Sequence, residues 1–437
     1  IPSRGPLAAL TVAGAISGWQ LALTESKRRR GKMPLSRLFE DAIQHARNGT
    51  VVSGTLHRNT NEKLNELKNV PGFSENFLID GEAPSEGQNL RLAALASTFE
   101  QLALAGLDDF YHGDIANSIA RELGAAGSPL LIEDLERHKA LTVEPLSINL
   151  KSGTVYTMPP PTQGLASAMI LGLYERLGVS QADSFEYVHA IVEASKRAFR
   201  VRDKYVSDPA YMTIDPTQFL TDETLDKLAA EIDAKTALPW SEVSQLGDTV
   251  WLGAMDSEGC SVSLIQSIYW EFGSGVVLPE TGIVWQNRGI SFSLEPDNLN
   301  SLIPGRRPFH TIHPAMATLS DGRHMAYGTM GGEGQPQTQA AIFTRLVDFG
   351  QNLADAIAAP RWLLGRTWGE ETAKLRIENR FKPAVIEALR NAGHDIEIVG
   401  DFDEMMGHAG AIIRQVDGSL DGASDPRCDG AAIAGVA

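Results

Sequence analysis

In the run Gly247-Asp248-Thr249-Val250-Trp251-Leu252-Gly253-Ala254-Met255-Asp256, a small acidic turn delivers Thr249 to the start of a strand that continues to Asp256. A threonine so placed can bend the preceding peptide bond toward its own hydroxyl. Attack of the Thr249 oxygen on the Asp248 carbonyl, followed by hydrolysis of the ester, would sever the backbone and leave Thr249 with a free α-amine. That amine can then act as the base for the neighbouring hydroxyl, so no histidine is needed. Further along, Gly331-Gly332 offers two adjacent backbone N–H groups with no side chains in the way, the requirement for donors that approach a developing oxyanion. Each feature is ordinary by itself: a threonine opening a strand, a tight turn of two glycines. Their significance depends on what surrounds them.

The elements that must position them fall into two textures. From Pro34 to Gly49 the apolar residues Leu35, Leu38, Phe39, Ala42, Ile43 and Ala46 recur at helical spacing. Similar patterns cover Leu92–Ala105, Ile115–Leu123 and Ser184–Tyr205, so the first half is predicted to be mainly helical. Beyond Val243, short runs rich in β-branched and small residues predict strands at Thr249–Ala254, Ser261–Tyr269, Gly282–Trp285, Met325–Thr329 and Ala411–Val416. Helical spacing returns at Gln337–Asp348 and Ala384–Ala392. Strands and helices in blocks imply an α+β layered domain rather than a βαβ wrap.

Composition narrows the function. The 437 residues, 43% hydrophobic and 21% charged, are ordinary globular stock. With 38 Lys+Arg against 55 Asp+Glu the net charge is -17, a field that repels phosphate backbones and anionic membranes. Neither nucleic acid nor membrane is an expected partner. The apolar stretch Leu7–Leu23 contains Gly14, Gly18, Trp19 and Gln20 and is short for a span, so it is expected to be buried in the protein. Cys260 and Cys428 cannot build a disulfide framework and are read as thiols of a cytoplasmic protein.

Ordered motifs extend the reading. Thr11-Val12-Ala13-Gly14-Ala15 with Trp19, Leu95–Phe99, Phe110-Tyr111-His112-Gly113, Pro159-Pro160-Pro161-Thr162-Gln163-Gly164, Phe272-Gly273-Ser274-Gly275, Arg307-Pro308-Phe309, Gly331-Gly332, Ala359-Pro360-Arg361 and Gly422–Arg427 follow one another along nearly the whole chain. In this the sequence resembles the γ-glutamyltranspeptidase family of N-terminal-nucleophile hydrolases. The resemblance implies a four-layer αββα sandwich, made as one domain from a heavy chain, residues 1–248, and a light chain, residues 249–437, both cut from one zymogen. It also implies a further Gly-rich segment and a carboxylate-binding Arg upstream of Ile1. By resemblance Thr249 is the nucleophile, Ser267 stands where the family keeps a Thr bonded to it, and Gly331 and Gly332 form the oxyanion hole.

Where a γ-glutamyl site holds an α-amine with acidic and amide side chains, this sequence has Tyr269, Arg288, Ser291, His310 and Thr311, with Asn287 matching the family. Arg288 suits a carboxylate. These exchanges point to a compact carboxylate-bearing amide, and the stretches Arg307–Pro314, Gly328–Gln339 and Trp362–Gly369 resemble the oxamate amidohydrolase branch. That branch converts oxamate to oxalate and ammonia in purine catabolism. A γ-glutamyl hydrolase or transpeptidase, an acylase of like mechanism, and a catalytically silent homologue are the alternatives. The segment Phe292–Arg306 is short for a lid, which favours water as acyl acceptor. No cofactor is expected. No metal is either, because Pro308 and Pro314 deny His310-x-x-His313, with Asp321 and Glu333 nearby, a helix on which to converge. The basic run Glu193–Arg202 reads as a solvated helix face and the three prolines as architecture. The expected assembly is a dimer of heterodimers.

Overall fold

One buried helix is apolar nearly all round: Gly164–Glu175, sequence GLASAMILGLYE, has nearly every side chain out of water. The computed structural model describes residues 1–241, 248–365 and 372–435. Two units can be distinguished, one of residues 1–143 with 268–293 and one of residues 144–267 with 294–437. Each draws on both sides of Asp248, so they do not coincide with the two expected fragments.

The first unit is helical: α1 (Ala15–Arg28), α2 (Leu35–Asn48), α3 (Gly54–Leu67), α4 (Ala93–Ala105) and α5 (Asp114–Ala126), with a short antiparallel pair formed by Thr50–Val51 and Asn89–Leu90. The spacing read in α2 turns Phe39 inward against Trp19 and Phe99, with ring centroids 6.2 and 5.4 Å away. Two expectations need correction here. Leu7–Leu23 is not a buried segment: α1 buries only Ile16 and Ser17, while Leu7 and Leu21 face outward. Gly282–Trp285 is not a strand, because the chain turns tightly there. Gly282, at φ +67°, donates to Leu278 O, and Val277 and Val284 form a single bridge.

The second unit contains β1 (Leu146–Leu150), β2 (Gly153–Thr157), α6 (Gly164–Glu175), α7 (Phe185–Tyr205), β3 (Asp248–Met255), β4 (Ser261–Tyr269), β5 (Ala315–Leu319), β6 (His324–Thr329), α8 (Gly334–Val347), β7 (Trp362–Leu364), β8 (Leu375–Glu378), α9 (Pro383–Asn391), β9 (Ile396–Val399), β10 (Ala409–Arg414) and β11 (Leu420–Ser424). Strand β4 runs on into the first unit at its last two residues. A six-stranded antiparallel sheet, in the order β11-β10-β6-β5-β2-β1, is registered by Ile148↔Val155, Val155↔Ala317, Ala317↔Met325, Ala411↔Tyr327 and Ile412↔Gly422. Val155, Ala317, Met325 and Ala411 share one core with Leu165 and Met169 of α6, Ile191 of α7 and Phe343 of α8. Burial of each Leu, Ile, Met or Phe contributes about 1.5–3 kcal/mol. Helix α7 begins where the Ser184 hydroxyl accepts from Tyr187 N. A smaller sheet pairs β8 in parallel with β9 and antiparallel with β7.

The pair β3–β4 forms a separate sheet stacked on β6 and β10. Trp251 lies over the cross-strand pair Gly328↔Gly410, where a Cβ at either glycine would come within 2.1 or 2.4 Å of its ring. Its indole N–H donates to Ser263 Oγ at 2.9 Å. Only glycines admit an indole so close, and the strand that carries the expected nucleophile is located by that fit.

Candidate active site

The register of β3 sets where Thr249 goes. Trp251 sits at the level of Gly328 and Gly410, and Gly253 faces Ile412, which pairs with Ala326. Moving back from Gly253 through Trp251 to Thr249 therefore leads along the sheet toward the end where β6 runs into Met330-Gly331-Gly332. Thr249 is half-buried, and its hydroxyl donates to Ser267 Oγ on the neighbouring strand at 3.2 Å. The expected pair of hydroxyls is formed. Asp248 opens β3, while Gly247 and the motif residues Arg366–Gly369 lie outside the described residues.

Gly331 and Gly332 have φ values of +115° and +48°, conformations in which a side chain would be strained. Their carbonyls turn into the start of α8: Gly331 O accepts from Gly334 N and Gly332 O from Gln335 N. Because a peptide N–H points opposite to the carbonyl of the same trans unit, the N–H groups of Gly332 and Glu333 face away from the helix. They lie at a helix N-terminus, where the dipole favours negative charge.

A buried network holds this loop. The Gln163 side-chain amide donates to Gly332 O and to Thr311 O, both at 2.7 Å. Arg202 of α7 donates to Gln163 Oε1 at 3.1 Å and to Glu333 Oε1 at 3.0 Å. All five residues are buried. The basic run Glu193–Arg202 is thus not a solvated face: Glu193, Lys196, Arg197 and Arg202 are buried, with Glu193 paired to Lys196 and Arg197 on the helix itself and Arg202 paired to Glu333 of another element. The sequence displayed Gln163 within a motif, but nothing in it tied Arg202 or Glu333 to the glycine loop.

His310 and Thr311 lie on the segment this network grips. His310 O accepts from Gln163 N at 3.1 Å and His310 N donates to Pro161 O. His313, fully buried, donates from Nδ1 to Thr311 O at 3.0 Å, which places its lone pair on Nε2. Burial pushes its pKa down to about 4. A folded-state value below the unfolded one, about 6.5, means the neutral ring costs nothing above pH 6.5 and destabilises progressively as pH falls from 6.5 toward 4. His313→Gln should therefore flatten the fall in the thermal midpoint across that window, by on the order of 3 kcal/mol at pH 4. Parallel wild-type and variant curves would refute the assignment.

Tyr269, Asn287, Arg288 and Ser291 belong to the first unit. The Arg288 guanidinium carbon stands 3.6 Å from the Tyr269 ring centroid. Both side chains are buried, and Tyr269 adopts φ +83°. Burial lowers the Arg288 pKa to about 10, so the cation is held at a cost that a bound anion would relieve. Beside them, Asn287 accepts from Trp270 N at 3.2 Å and donates to Ser3 O at 3.0 Å. Ser291 is buried in the same short turn.

The family model described as Gamma-glutamyltranspeptidase matches residues 1–435. The chain belongs to the γ-glutamyltranspeptidase family. It is 52% identical to the oxamate amidohydrolase proenzyme of Klebsiella pneumoniae, covering 99% of this chain and 82% of that one. With the glutathione hydrolase-like YwrD proenzyme of Bacillus subtilis it shares 40% identity over 99% and 82% of the two chains. Among solved structures, cephalosporin acylase from Bacillus halodurans superposes with a TM-score of 0.88 at 33% identity, over 100% of this chain and 80% of that one. Family membership makes the chain an α+β N-terminal-nucleophile hydrolase that acts on carbon–nitrogen bonds, formed as a proenzyme that yields a heavy and a light chain. Among the described residues no helix is long and apolar enough to cross a membrane, and both cysteines are free.

Proposed function

We propose that this family member hydrolyses the amide of a small carboxylate-bearing substrate, oxamate, to oxalate and ammonia. The observation that carries the reading is the 52% identity to an oxamate amidohydrolase proenzyme along nearly the whole chain. The chain is cut between Asp248 and Thr249 into residues 1–248 and 249–437. The new Thr249 amine takes the proton of its own hydroxyl, whose oxygen attacks the amide carbonyl, and the developing oxyanion is held by backbone N–H groups of the Gly331-Gly332 loop. Ammonia leaves with the proton returned by the amine. Water, deprotonated by the same amine, then cleaves the ester and frees oxalate. Ser267 orients the nucleophile through the bond to its hydroxyl.

Arg288 binds the substrate carboxylate, with Tyr269 stacked on its guanidinium and Asn287 and Ser291 shaping the wall. His310 and Thr311 are assigned to substrate binding as well. The two chains assemble further as a dimer of heterodimers, and the enzyme serves purine-ring nitrogen catabolism in the cytoplasm.

Ammonia release from oxamate, measured beside glutamate release from a γ-glutamyl anilide, tests the substrate. Turnover of oxamate far exceeding that of the anilide is expected, and the reverse order would favour a γ-glutamyl hydrolase. Arg288→Gln removes the charge but keeps polar bulk, and should weaken oxamate binding by roughly 2 to 4 kcal/mol, mainly as a higher KM. Unchanged kinetics would remove Arg288 from the site.

A further inference from the structure

Strand β10 has two faces. Ala409, Ala411 and Ile413 point into the core shared with α6 and α8, while Gly410 and Ile412 point the other way, against β3. A Cβ on Gly410 would stand 2.4 Å from the Trp251 ring, and one on Gly253 would stand 3.4 Å from Ile412 Cδ1. Side chains alternate along a strand, so residues 249, 251 and 253 of β3 face the series 408, 410 and 412. Two residues back from the contact of Trp251 with Gly410, Thr249 comes opposite His408.

His408 also borders the glycine loop. Met330 N donates to its carbonyl at 3.3 Å, which carries the β6–β10 ladder one step past Thr329↔Ala409. Gly407 packs so closely there that a Cβ would be 2.8 Å from Met330 O. On the same stretch Arg361 donates to Met406 O and Gly407 O at 3.3 and 2.8 Å. The imidazole is therefore carried by backbone that is held in place. Stacked sheets lie about 10 Å apart, and side chains from both must fill the space between them. At its own level Trp251 fills it over two glycines. One step on, Thr249 is small, and the side chains across from it are those of Met330 and His408. Met330 is buried and apolar. His408 is the polar one of the two: its ring is half-buried, and its Nε2 is buried with no hydrogen-bond partner among the described residues. Burial pulls its pKa below the usual histidine range, against the nearby carboxylates Asp425, Glu404 and Asp429, with Arg361 adding to the fall. The ring is thus neutral and keeps a nitrogen lone pair.

A buried polar atom without a partner is costly, and one that faces the proposed nucleophile is placed to be met by substrate. Oxamate has a matching need. Its carboxylate and its carbonyl oxygen only accept, and both have donors in the proposed mechanism, Arg288 and the backbone N–H groups of the glycine loop. The amide nitrogen carries two hydrogens that require an acceptor. We propose that His408 is a specificity-determining residue, whose imidazole accepts a hydrogen bond from the amide NH₂ of the substrate and so selects an unsubstituted amide. The inference rests on the oxamate reading and deepens it.

Substitutions at His408 combined with a pair of substrates test it. His408→Leu and His408→Phe remove the acceptor with different bulk, and His408→Gln keeps one. Each protein is assayed on oxamate and on monomethyl oxalate, which delivers the same acyl group but whose ester oxygen has no hydrogen to donate. Without the acceptor, kcat/KM for oxamate should fall at least about tenfold while kcat/KM for the ester stays within about twofold of wild type. His408→Gln should keep most of the oxamate activity. A structural role would lower both substrates together, and that result would overturn the proposal, as would unchanged oxamate turnover in either apolar variant. Failure of both apolar variants to fold would also overturn it, by making His408 part of the frame. A wild-type enzyme that hydrolyses the ester and leaves oxamate untouched would remove the substrate reading and this proposal with it, an outcome read from the wild-type assay alone.

Discussion

Thr249→Ala should purify as one undivided chain with no measurable amide hydrolysis, a loss of at least about 10⁴-fold by comparison with removal of nucleophiles that act as part of a unit. In the proposed mechanism the same oxygen acts twice, first against the Asp248 carbonyl and then against substrate, so one substitution removes both steps. The alanine methyl is smaller than the side chain it replaces, and the position is only half-buried, so the fold should survive. Thr249→Ser separates the two requirements: hydroxyl and amine are kept, and slower maturation and turnover should both remain. A divided and active alanine variant would show that another group is the nucleophile. The bond from Thr249 to Ser267 adds a graded check, because Ser267→Ala should lower kcat while leaving KM nearly unchanged.

Arg202→Leu is expected to have the second largest effect, although Arg202 lies far from Thr249 in sequence. The guanidinium bridges Gln163 and Glu333 inside the protein, stacked 4.3 Å from the Phe199 ring centroid. Gln163 then holds Gly332 O. Removing one partner of a buried ion pair typically costs 3–5 kcal/mol, because the remaining charge loses its compensation. The loop proposed to supply the oxyanion hole would also loosen, and kcat should drop by roughly 100-fold. Pairing Arg202→Leu with Glu333→Gln removes the orphaned charge. Stability should partly return while kcat stays low, which distinguishes a charge penalty from lost positioning. If Arg202→Leu alone leaves both the thermal midpoint and kcat intact, the network does not hold the loop.

These two residues also show what could and could not be read from the chain. Thr249 could be singled out as a candidate because the chemistry proposed for it depends on neighbours in sequence, Asp248 before it and a strand after it. Strand bounds at Ser261–Tyr269 and the helix over Ser184–Tyr205 were legible for a similar reason, since periodicity is local. Arg202 was misread for the opposite reason. A run of charges on a helix reads as solvated when only the helix is considered, and the carboxylate of Glu333 that permits its burial is 131 positions away. Trp251 was quoted only as part of a strand, and its seat on Gly328 and Gly410 emerges only when two sheets are stacked. Gly282–Trp285 shows the same limit on a smaller scale, where β-branched residues around a glycine turn back on themselves instead of finding a partner strand. The Ala359-Pro360-Arg361 and Asp425-Pro426-Arg427 motifs were recognised as sequence alone. Their physical reason is a buried lattice in which Arg361 meets Asp425 at 2.5 Å, and Arg427 meets Glu378 and Asp425 at 2.7 and 3.0 Å.

The most direct measurement is the mass and amino-terminal sequence of the smaller fragment from purified wild-type protein. The fragment should span residues 249–437 and begin Thr-Val-Trp, with a free amine on the threonine. A single intact chain that hydrolyses amides, or a fragment that starts at any other residue, would contradict the account.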